Sequence, residues 1–322
     1  MKHIVIAAVS LTIFVSGANA AAASKAYVGN QENGTISIID TASDMVVKTV
    51  PDKGKIGEKI QAVVTDPAEK NAFVVDAKGN SLVVVDLASG EIKQKIAVGN
   101  APEGASLSPD GKTIAVCVED DNEVTFVDVA TQKVTKKIKT QGQNPEHCVF
   151  TRDEKWLITS NENSNDIDVI DLAAGKSIAK IPTSGHPRGV ALVPGKHIAY
   201  VVQETTNGVD VVDLDAKKIV TSIATGTRPA DVVASKDGKR MFVANGGDGS
   251  VVAIDVATNK IVGTAKTGKR CWNMGMTPDG SKLYTADGRS NAVSVIDTAS
   301  FTTIKSIPVG GLPWGVFVRT PK

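Results

Sequence analysis

The sequence predicts an all-β protein, a seven-bladed β-propeller with four antiparallel strands in each blade. Three observations lead to this prediction: a motif recurs about every 42 residues, strand-like alternation fills each repeat, and no segment shows helical periodicity. A four-stranded sheet cannot cover its own two faces, so repeats of this kind stabilise one another by stacking around an axis.

The count of seven comes from an aspartate that ends an apolar run in every repeat, as in "SIID", "VVVD" and "SVID". These aspartates are Asp40, Asp86, Asp128, Asp171, Asp213, Asp255 and Asp297. Their separations are 46, 42, 43, 42, 42 and 42 residues. Because each aspartate precedes a turn, we expect its carboxylate to accept backbone N–H bonds there and to have no catalytic role.

Turn sequences divide each repeat into four strands. In residues 229–268 the runs "ADVVAS", "RMFVAN", "VVAID" and "IVGTAKTG" are separated by "KDGK", "GGDGS" and "VATNK". Gly, Asp and Asn at these positions favour tight turns. The turn "SPDGK" also occurs at 108–112, with variants at 151–155 and 277–282.

The chain begins and ends inside a repeat. Residues 25–30, "KAYVGN", match a second strand, and residues 314–322, "WGVFVRTPK", match a first strand and its turn. We therefore expect the C-terminal strand to pair into the N-terminal blade and to close the ring. Residues 21–322 then form a single domain.

The first 20 residues indicate a cleaved signal peptide. Lys2 precedes an apolar run from Ile4 to Val15, and "ANA" at 18–20 is a small-residue cleavage site. This run is shorter than the roughly 20 residues that cross a bilayer. The sequence thus predicts export, a periplasmic location and no membrane span.

Charge and cysteine usage narrow the function classes. The chain has 36 Lys and Arg against 35 Asp and Glu, so no net field attracts nucleic acid. Three cysteines at wide spacing do not form a disulfide framework. We expect Cys117 and Cys148 to be small buried hydrophobes, and Cys271, which replaces a proline in a connection, to reach solvent.

Two segments carry a family resemblance. Residues 27–30, "YVGN", and 242–245, "FVAN", are each followed by a Gly-containing loop and a strand ending in Ile-Asp. They resemble the Tyr-Val-Thr-Asn signature of the YVTN family of β-propeller repeats, and the resemblance covers the predicted mature chain. The exported single ring is most similar to propellers associated with pyrroloquinoline quinone-dependent catabolism. That resemblance implies a non-catalytic accessory of an alcohol oxidation system, with a periplasmic oxidoreductase or a small molecule as its partner.

The signature asparagine is not kept in every repeat. Asn161 retains it, whereas Asp76, Glu119, Gln203 and Asp287 replace it. A backbone-bracing position tolerates such variety poorly. We therefore expect these side chains to face a shared opening.

One end of the ring, termed the upper face, collects the starts of the first strands, and the "PDGK" turns lie at the opposite, lower face. The residues that begin the first strands differ from blade to blade, which predicts one asymmetric ligand-binding site. The candidates are Glu103, Glu146, His147, Arg188, Asp231, Trp272, Asn273 and Trp314. The alternative is that surface loops simply vary.

The histidines and tryptophans leave further alternatives open. His147 can ligate a metal or a haem iron, act as a base, or only hydrogen-bond to its neighbour. Trp272 and Trp314 can stack a flat ligand or pack on each other. His186 is expected to cap a turn, and His197 to be exposed to solvent.

Three function classes follow. The first is a non-catalytic monomer that binds a small ligand or a partner protein at the upper face. The second is a hydrolase similar to propeller lactonases, using Glu103, Glu146, His147 and Arg188. The third is a cofactor carrier resembling the haem-binding propeller of nitrite reductases, with His147 or His186 as axial ligand. The sequence has no nucleophile elbow, phosphate loop or Cys-x-x-Cys-His motif. We favour the first class and assign no catalytic residue, no metal site and no cofactor, with haem and pyrroloquinoline quinone left open.

Overall fold

The computed structural model describes residues 24–319, so the predicted signal peptide lies outside the described residues. In this part of the chain, 28 strands form seven four-stranded antiparallel sheets. The sheets stack around an axis, with the first strand of each repeat innermost. The predicted seven-bladed propeller is confirmed.

The strands of the first half are β1 Lys25–Asn30, β2 Thr35–Asp40, β3 Met45–Val50, β4 Ile60–Thr65, β5 Asn71–Asp76, β6 Ser81–Asp86, β7 Ile92–Ala97, β8 Pro102–Leu107, β9 Thr113–Val118, β10 Glu123–Asp128, β11 Lys133–Lys139, β12 Pro145–Phe150, β13 Trp156–Asn161 and β14 Asp166–Asp171. The second half contains β15 Lys176–Pro182, β16 Pro187–Leu192, β17 Ile198–Gln203, β18 Gly208–Asp213, β19 Lys218–Ala224, β20 Pro229–Ala234, β21 Arg240–Asn245, β22 Ser250–Asp255, β23 Lys260–Lys266, β24 Cys271–Met276, β25 Lys282–Asp287, β26 Ala292–Asp297, β27 Thr302–Pro308 and β28 Pro313–Arg319. A short 3-10 helix covers Gly288–Ser290. Blade 1 consists of β28, β1, β2 and β3, and blades 2 to 7 follow in chain order from β4 to β27.

The position of a strand within its blade sets its composition. The second and third strands of blade 2, "NAFVVD" and "SLVVVD", are buried along nearly their whole length, because neighbouring blades cover both faces. The outer strand "IKQKIA" is mostly exposed. Lysines on such outer edges discourage pairing with other chains.

The aspartates at the ends of the third strands close turns, as predicted. Asp40 Oδ1 accepts the backbone N–H of Ser43 at 2.8 Å, and Asp297 Oδ1 accepts that of Ser300 at 2.7 Å. The other five aspartates accept the N–H three residues ahead in the same way. These carboxylates therefore have a structural role.

Asp76, Asn161, Gln203 and Asp287 do not face an opening, so that expectation is wrong for these residues. Asn161, Gln203 and Asp287 are fully buried. Gln203 Oε1 accepts the N–H of Gly185 at 2.9 Å, and Asp287 Oδ2 accepts that of Gly268 at 3.0 Å. Different polar side chains can satisfy backbone donors of the connection that precedes the innermost strand, which is why the position varies while its bracing role persists.

Ring closure by the C-terminal strand is confirmed. Strand β28 pairs antiparallel with β1, with Tyr27 opposite Phe317 and Lys25 opposite Arg319. Trp314 and Val316 of β28 are buried against neighbouring blades. The last strand thus supplies both backbone hydrogen bonds to β1 and apolar side chains to the core.

The three cysteines are free thiols in the core. Cys117 and Cys148 belong to one apolar cluster, as expected. Cys271 does not reach solvent, because it begins β24 and packs with Met274 and Leu283. In the described residues, no helix has the length and apolar character needed to span a bilayer.

Deleting residues 312–322 should lower the thermal midpoint by at least about 10 °C, the fall that a loss of about 5 kcal/mol produces at this size. The physical reason is that β1 loses its partner and the Trp314 site becomes a cavity. Thermal unfolding followed by circular dichroism measures the effect, and removal of residues 320–322 alone is the control. An unchanged midpoint after the longer deletion would contradict ring closure by β28.

Candidate functional site at the upper rim

Three basic side chains are held at the upper rim by the turn into the innermost strand. His186, Arg228 and Arg270 immediately precede β16, β20 and β24 and have left-handed backbones, with φ of 53°, 50° and 59°. The Asn165 side chain accepts the N–H of His186 at 2.6 Å, and Asn207 accepts that of Arg228 at 2.9 Å. The turn is therefore capped by Asn165, and His186 is not the capping residue that the sequence predicted.

Three glutamates reach the upper rim from the second strands of blades 3, 4 and 5. Glu119, Glu162 and Glu204 each follow the end of a strand and donate their backbone N–H to the residue before the innermost strand, at 2.9 to 3.1 Å. Strand register places Val118 at the signature position, one residue before Glu119. Sequence reasoning thus misplaced Glu119 and missed the other two. The detectable signal was an acid one residue beyond the strand in three consecutive repeats.

Arg188, the second residue of β16, is the centre of the cluster. Its Nη1 lies 3.0 Å from both Glu162 Oε1 and Glu204 Oε2. Its Nη2 bonds to Glu146 Oε1 and lies 4.0 Å from Glu103 Oε1. The five side chains are at most 14% exposed, so these groups interact away from bulk water.

Glu204 extends the network toward blades 6 and 7. Its Oε1 accepts bonds from Arg228 Nε at 2.8 Å and Arg270 Nη2 at 3.1 Å. His186 Nε2 lies 3.3 Å from Glu162 Oε1. A continuous chain of ion pairs therefore connects blades 3 to 7.

The glutamates divide into two protonation classes. Although burial opposes ionisation, the hydrogen bond from His186 lowers the pKa of Glu162 to about 2. Burial also opposes the ionisation of Glu103 and Glu204. Neighbouring hydrogen-bond donors and arginines nevertheless hold the pKa values of both glutamates below their usual range. Burial and the charge of Glu103 raise the pKa of Glu119 to about 9. Burial likewise raises the pKa of Glu146 well above its usual range, although Arg188 opposes the shift.

His147 and Trp314 meet at the upper end of the axial tunnel. Their rings stack with centroids 6.0 Å apart, although they belong to blades 4 and 1. Burial and then the Arg188 charge lower the pKa of His147 to about 4, so the imidazole is neutral near pH 7. Both rings line an axial cavity of about 200 Å³.

The remaining predicted residues brace the innermost strands. Asp231 Oδ2 accepts bonds from the Asn273 side chain at 3.0 Å and from the Met274 backbone at 2.8 Å. Asn273 Oδ1 in turn accepts the N–H of Val316 at 2.8 Å. Burial raises the pKa of Asp231 to about 7. These contacts tie blades 6, 7 and 1 together inside the tunnel.

The two tryptophans pack in one apolar cluster but differ in their other neighbours. Trp314 stacks on His147, whereas the Trp272 ring covers Gly288, where a side chain would have no space. The Arg270 guanidinium lies 5.9 Å from the Trp272 ring centre. Trp272 therefore lies beside the rim cluster, while Trp314 lines the axial cavity.

Among residues 24–319, no group of three or more His, Cys, Asp or Glu side chains has a geometry that could hold a metal ion. The rim cluster instead combines acids with arginines. Such an arrangement can bind charged groups by exchanging ion-pair partners.

Comparisons with known proteins identify the architecture. The family model described as YNCE-like beta-propeller matches residues 60–320. Among curated proteins, none matches the chain.

Solved structures show the same fold at low identity. Hydrazine synthase from Kuenenia stuttgartiensis is 22% identical, with a TM-score of 0.72, covering 80% of this chain and 89% of that chain. A functionally unknown protein from Desulfotomaculum acetoxidans is 12% identical, with a TM-score of 0.79 and coverage of 92% and 99%. Dihydro-heme d1 dehydrogenase NirN in complex with DHE is 15% identical, with a TM-score of 0.67 and coverage of 91% and 74%.

Replacing Glu119 with Gln should stabilise the protein at pH 8 by up to about 5 kcal/mol and have little effect near pH 4. The unfolded chain releases this proton near pH 4.3, as an ordinary Glu does, whereas the folded chain keeps it up to about pH 9. Raising the pH between these values therefore favours unfolding of the wild type. Glutamine mimics the protonated form and removes this dependence, which urea unfolding at both pH values measures.

Glu162→Gln is the matched control, because the same position one blade later has the opposite shift. The pKa of Glu162 is lowered to about 2, so its contribution to stability is present above pH 4.3 and is lost as the pH falls toward 2. This variant should be less stable than the wild type at pH 8. Equal shifts of both variants in one direction would contradict the two protonation classes.

Proposed function

The chain belongs to the YNCE-like β-propeller family, and we propose that it binds a small ligand or a partner protein at its upper rim without catalysing a reaction. One observation carries this proposal. Glutamates from blades 3, 4 and 5 converge on Arg188 through ion pairs of 3.0 to 4.0 Å, on a scaffold whose other parts repeat. Arg228 of blade 6 and Arg270 of blade 7 join this cluster through Glu204. A regular ring that concentrates its irregular residues at one point is organised for recognition.

The exposed part of the cluster favours an anionic group on the ligand or partner. The side chain of Arg228 is 56% exposed, whereas that of Glu204 beneath it is 7% exposed. Lys269 and Arg289 are exposed on the adjoining loops of blade 7. An approaching carboxylate or phosphate therefore meets guanidinium groups first and can replace Glu204 as their partner.

The haem-carrier alternative does not fit the residues present. An axial histidine must offer a neutral imidazole with an available lone pair. The hydrogen bond to Glu162 raises the pKa of His186 and favours its cation. His147 is neutral, but Trp314 covers its ring and Glu146 Oε1 lies 3.6 Å from its Nε2. The likeness to the NirN complex, at 15% identity, concerns the fold alone.

The lactonase-like alternative gains no support from the same geometry. A general base must reach the substrate's proton within hydrogen-bond distance. Arg188 occupies one oxygen of Glu146, and the pKa of Glu146 is raised, which favours the form that cannot accept a proton. We therefore keep the binding function as the conclusion.

Location and pathway are separate proposals. Export to the periplasm rests on residues 1–20 of the sequence. The association with pyrroloquinoline quinone-dependent alcohol oxidation rests on the YVTN resemblance. Expression with the natural N-terminus tests the export. The intact mass of the periplasmic form should be that of a chain beginning at Ala21. Recovery of the uncleaved chain in the cytoplasm would contradict it.

Arg228→Glu should reduce occupancy of the upper rim at least about tenfold, because it places a repelling charge at the most exposed guanidinium. The protein is isolated from the periplasm without denaturation, and native mass spectrometry reports both small ligands and bound proteins. Lys239→Glu is the control, since Lys239 is 80% exposed at the lower face and makes the same change of charge. Equal occupancy of wild type and both variants would contradict binding at the rim.

A further inference from the structure

A second, chemically different cavity opens at the lower face, opposite the rim cluster. Its volume is about 650 Å³, and it lies where β12, β16 and β20 end and turn outward. This volume is in the range of pockets that enclose small organic molecules. None of the predicted site residues lines it.

The cavity wall is apolar. Val149, Leu192, Val233 and Ala234 line it and are only partly buried, although they belong to innermost strands. Val149 and Val233 also line the axial cavity of about 200 Å³, so the two spaces adjoin. An apolar ligand body placed there removes its own hydrocarbon surface and that of the cavity wall from water. This burial stabilises the complex by about 25 cal/mol per Å² of apolar surface.

Two cations stand at the mouth without partners. Arg152 and Lys196 line the cavity and are exposed, and neither makes a salt bridge with any residue in the range 24–319. The other charged groups at the mouth are engaged. Asp153 pairs with Lys155 at 3.5 Å, and His197 Nδ1 bonds to Asp215 at 3.0 Å. His197 also packs on Trp156, which makes it less exposed than its position in the sequence suggested.

We propose that the lower cavity binds an amphipathic anion, with its apolar body against the ends of β12, β16 and β20 and its anionic group between Arg152 and Lys196. A carboxylate or sulfonate on a hydrocarbon or aromatic body has this chemistry. The apolar wall supplies affinity, and the two unpaired cations supply orientation. This site is independent of the upper rim and of the function proposed there.

Fluorescence titration with 8-anilinonaphthalene-1-sulfonate, an anion on an aromatic body, tests the site in the folded protein. Decanoate should displace the probe about tenfold more effectively than decanol, because only decanoate offers a charge to the cations. The double variant Arg152→Gln/Lys196→Gln should weaken probe binding about tenfold and remove the preference for decanoate. Lys112→Gln, a lower-face lysine outside the cavity lining, should leave both unchanged.

A cavity-filling variant tests the apolar part. Ala234→Phe should abolish probe binding, with near-UV circular dichroism and the thermal midpoint confirming that the ring is folded. If Ala234→Phe is destabilised, the double variant Arg152→Gln/Lys196→Gln still tests the site.

Two results would overturn the proposal. Undiminished probe binding by folded Ala234→Phe would place the probe elsewhere. Equal displacement by decanoate and decanol, or full probe affinity in the double variant, would exclude an anion as the ligand class.

Discussion

Each blade of this protein has two apolar faces that only its neighbours can cover, and this constraint governs the rest of the structure. It explains why the middle strands are apolar along their whole length, as in "SLVVVD". It also explains why the ring cannot remain open. An unclosed end would expose one face and a row of unpaired backbone groups, and β28 removes both by completing blade 1. Stability is therefore cooperative around the circle and does not belong to any single blade.

The same repetition creates the positions at which the blades are free to differ. The residue before each innermost strand and the residue after each second strand are joined by a backbone hydrogen bond, so their side chains meet at the upper rim. In blades 3 to 5 the second position is glutamate, and in blades 5 to 7 the first is histidine or arginine. Arg188 lies where the two series overlap. The charged cluster is thus a product of regular geometry and irregular sequence.

The fold was predictable because its determinants are local and repeated. The spacing of the aspartates, the turn residues and the incomplete end repeats each identified a feature that the structure contains. The positions that sequence reasoning placed wrongly depend on register or on burial. A shift of one residue separates Val118 inside blade 3 from Glu119 at the rim. Cys271 looked like a surface substitution because a sequence does not show what packs beneath a strand end. The lower cavity escaped prediction for a related reason: its wall is assembled from three strands far apart in the chain, each with ordinary apolar residues.

Strand pairing in blade 1 also gives the ring a fixed orientation toward anything attached to its ends. Strand β1 begins and β28 finishes at the same edge, with Lys25 opposite Arg319, and both lie on the side of the "PDGK" turns. A linker that continues directly from the start of β1 or the end of β28 therefore leaves the ring at the lower face. Immobilised in this way, the molecule presents the Arg188 side outward to the medium and turns the apolar cavity toward its support.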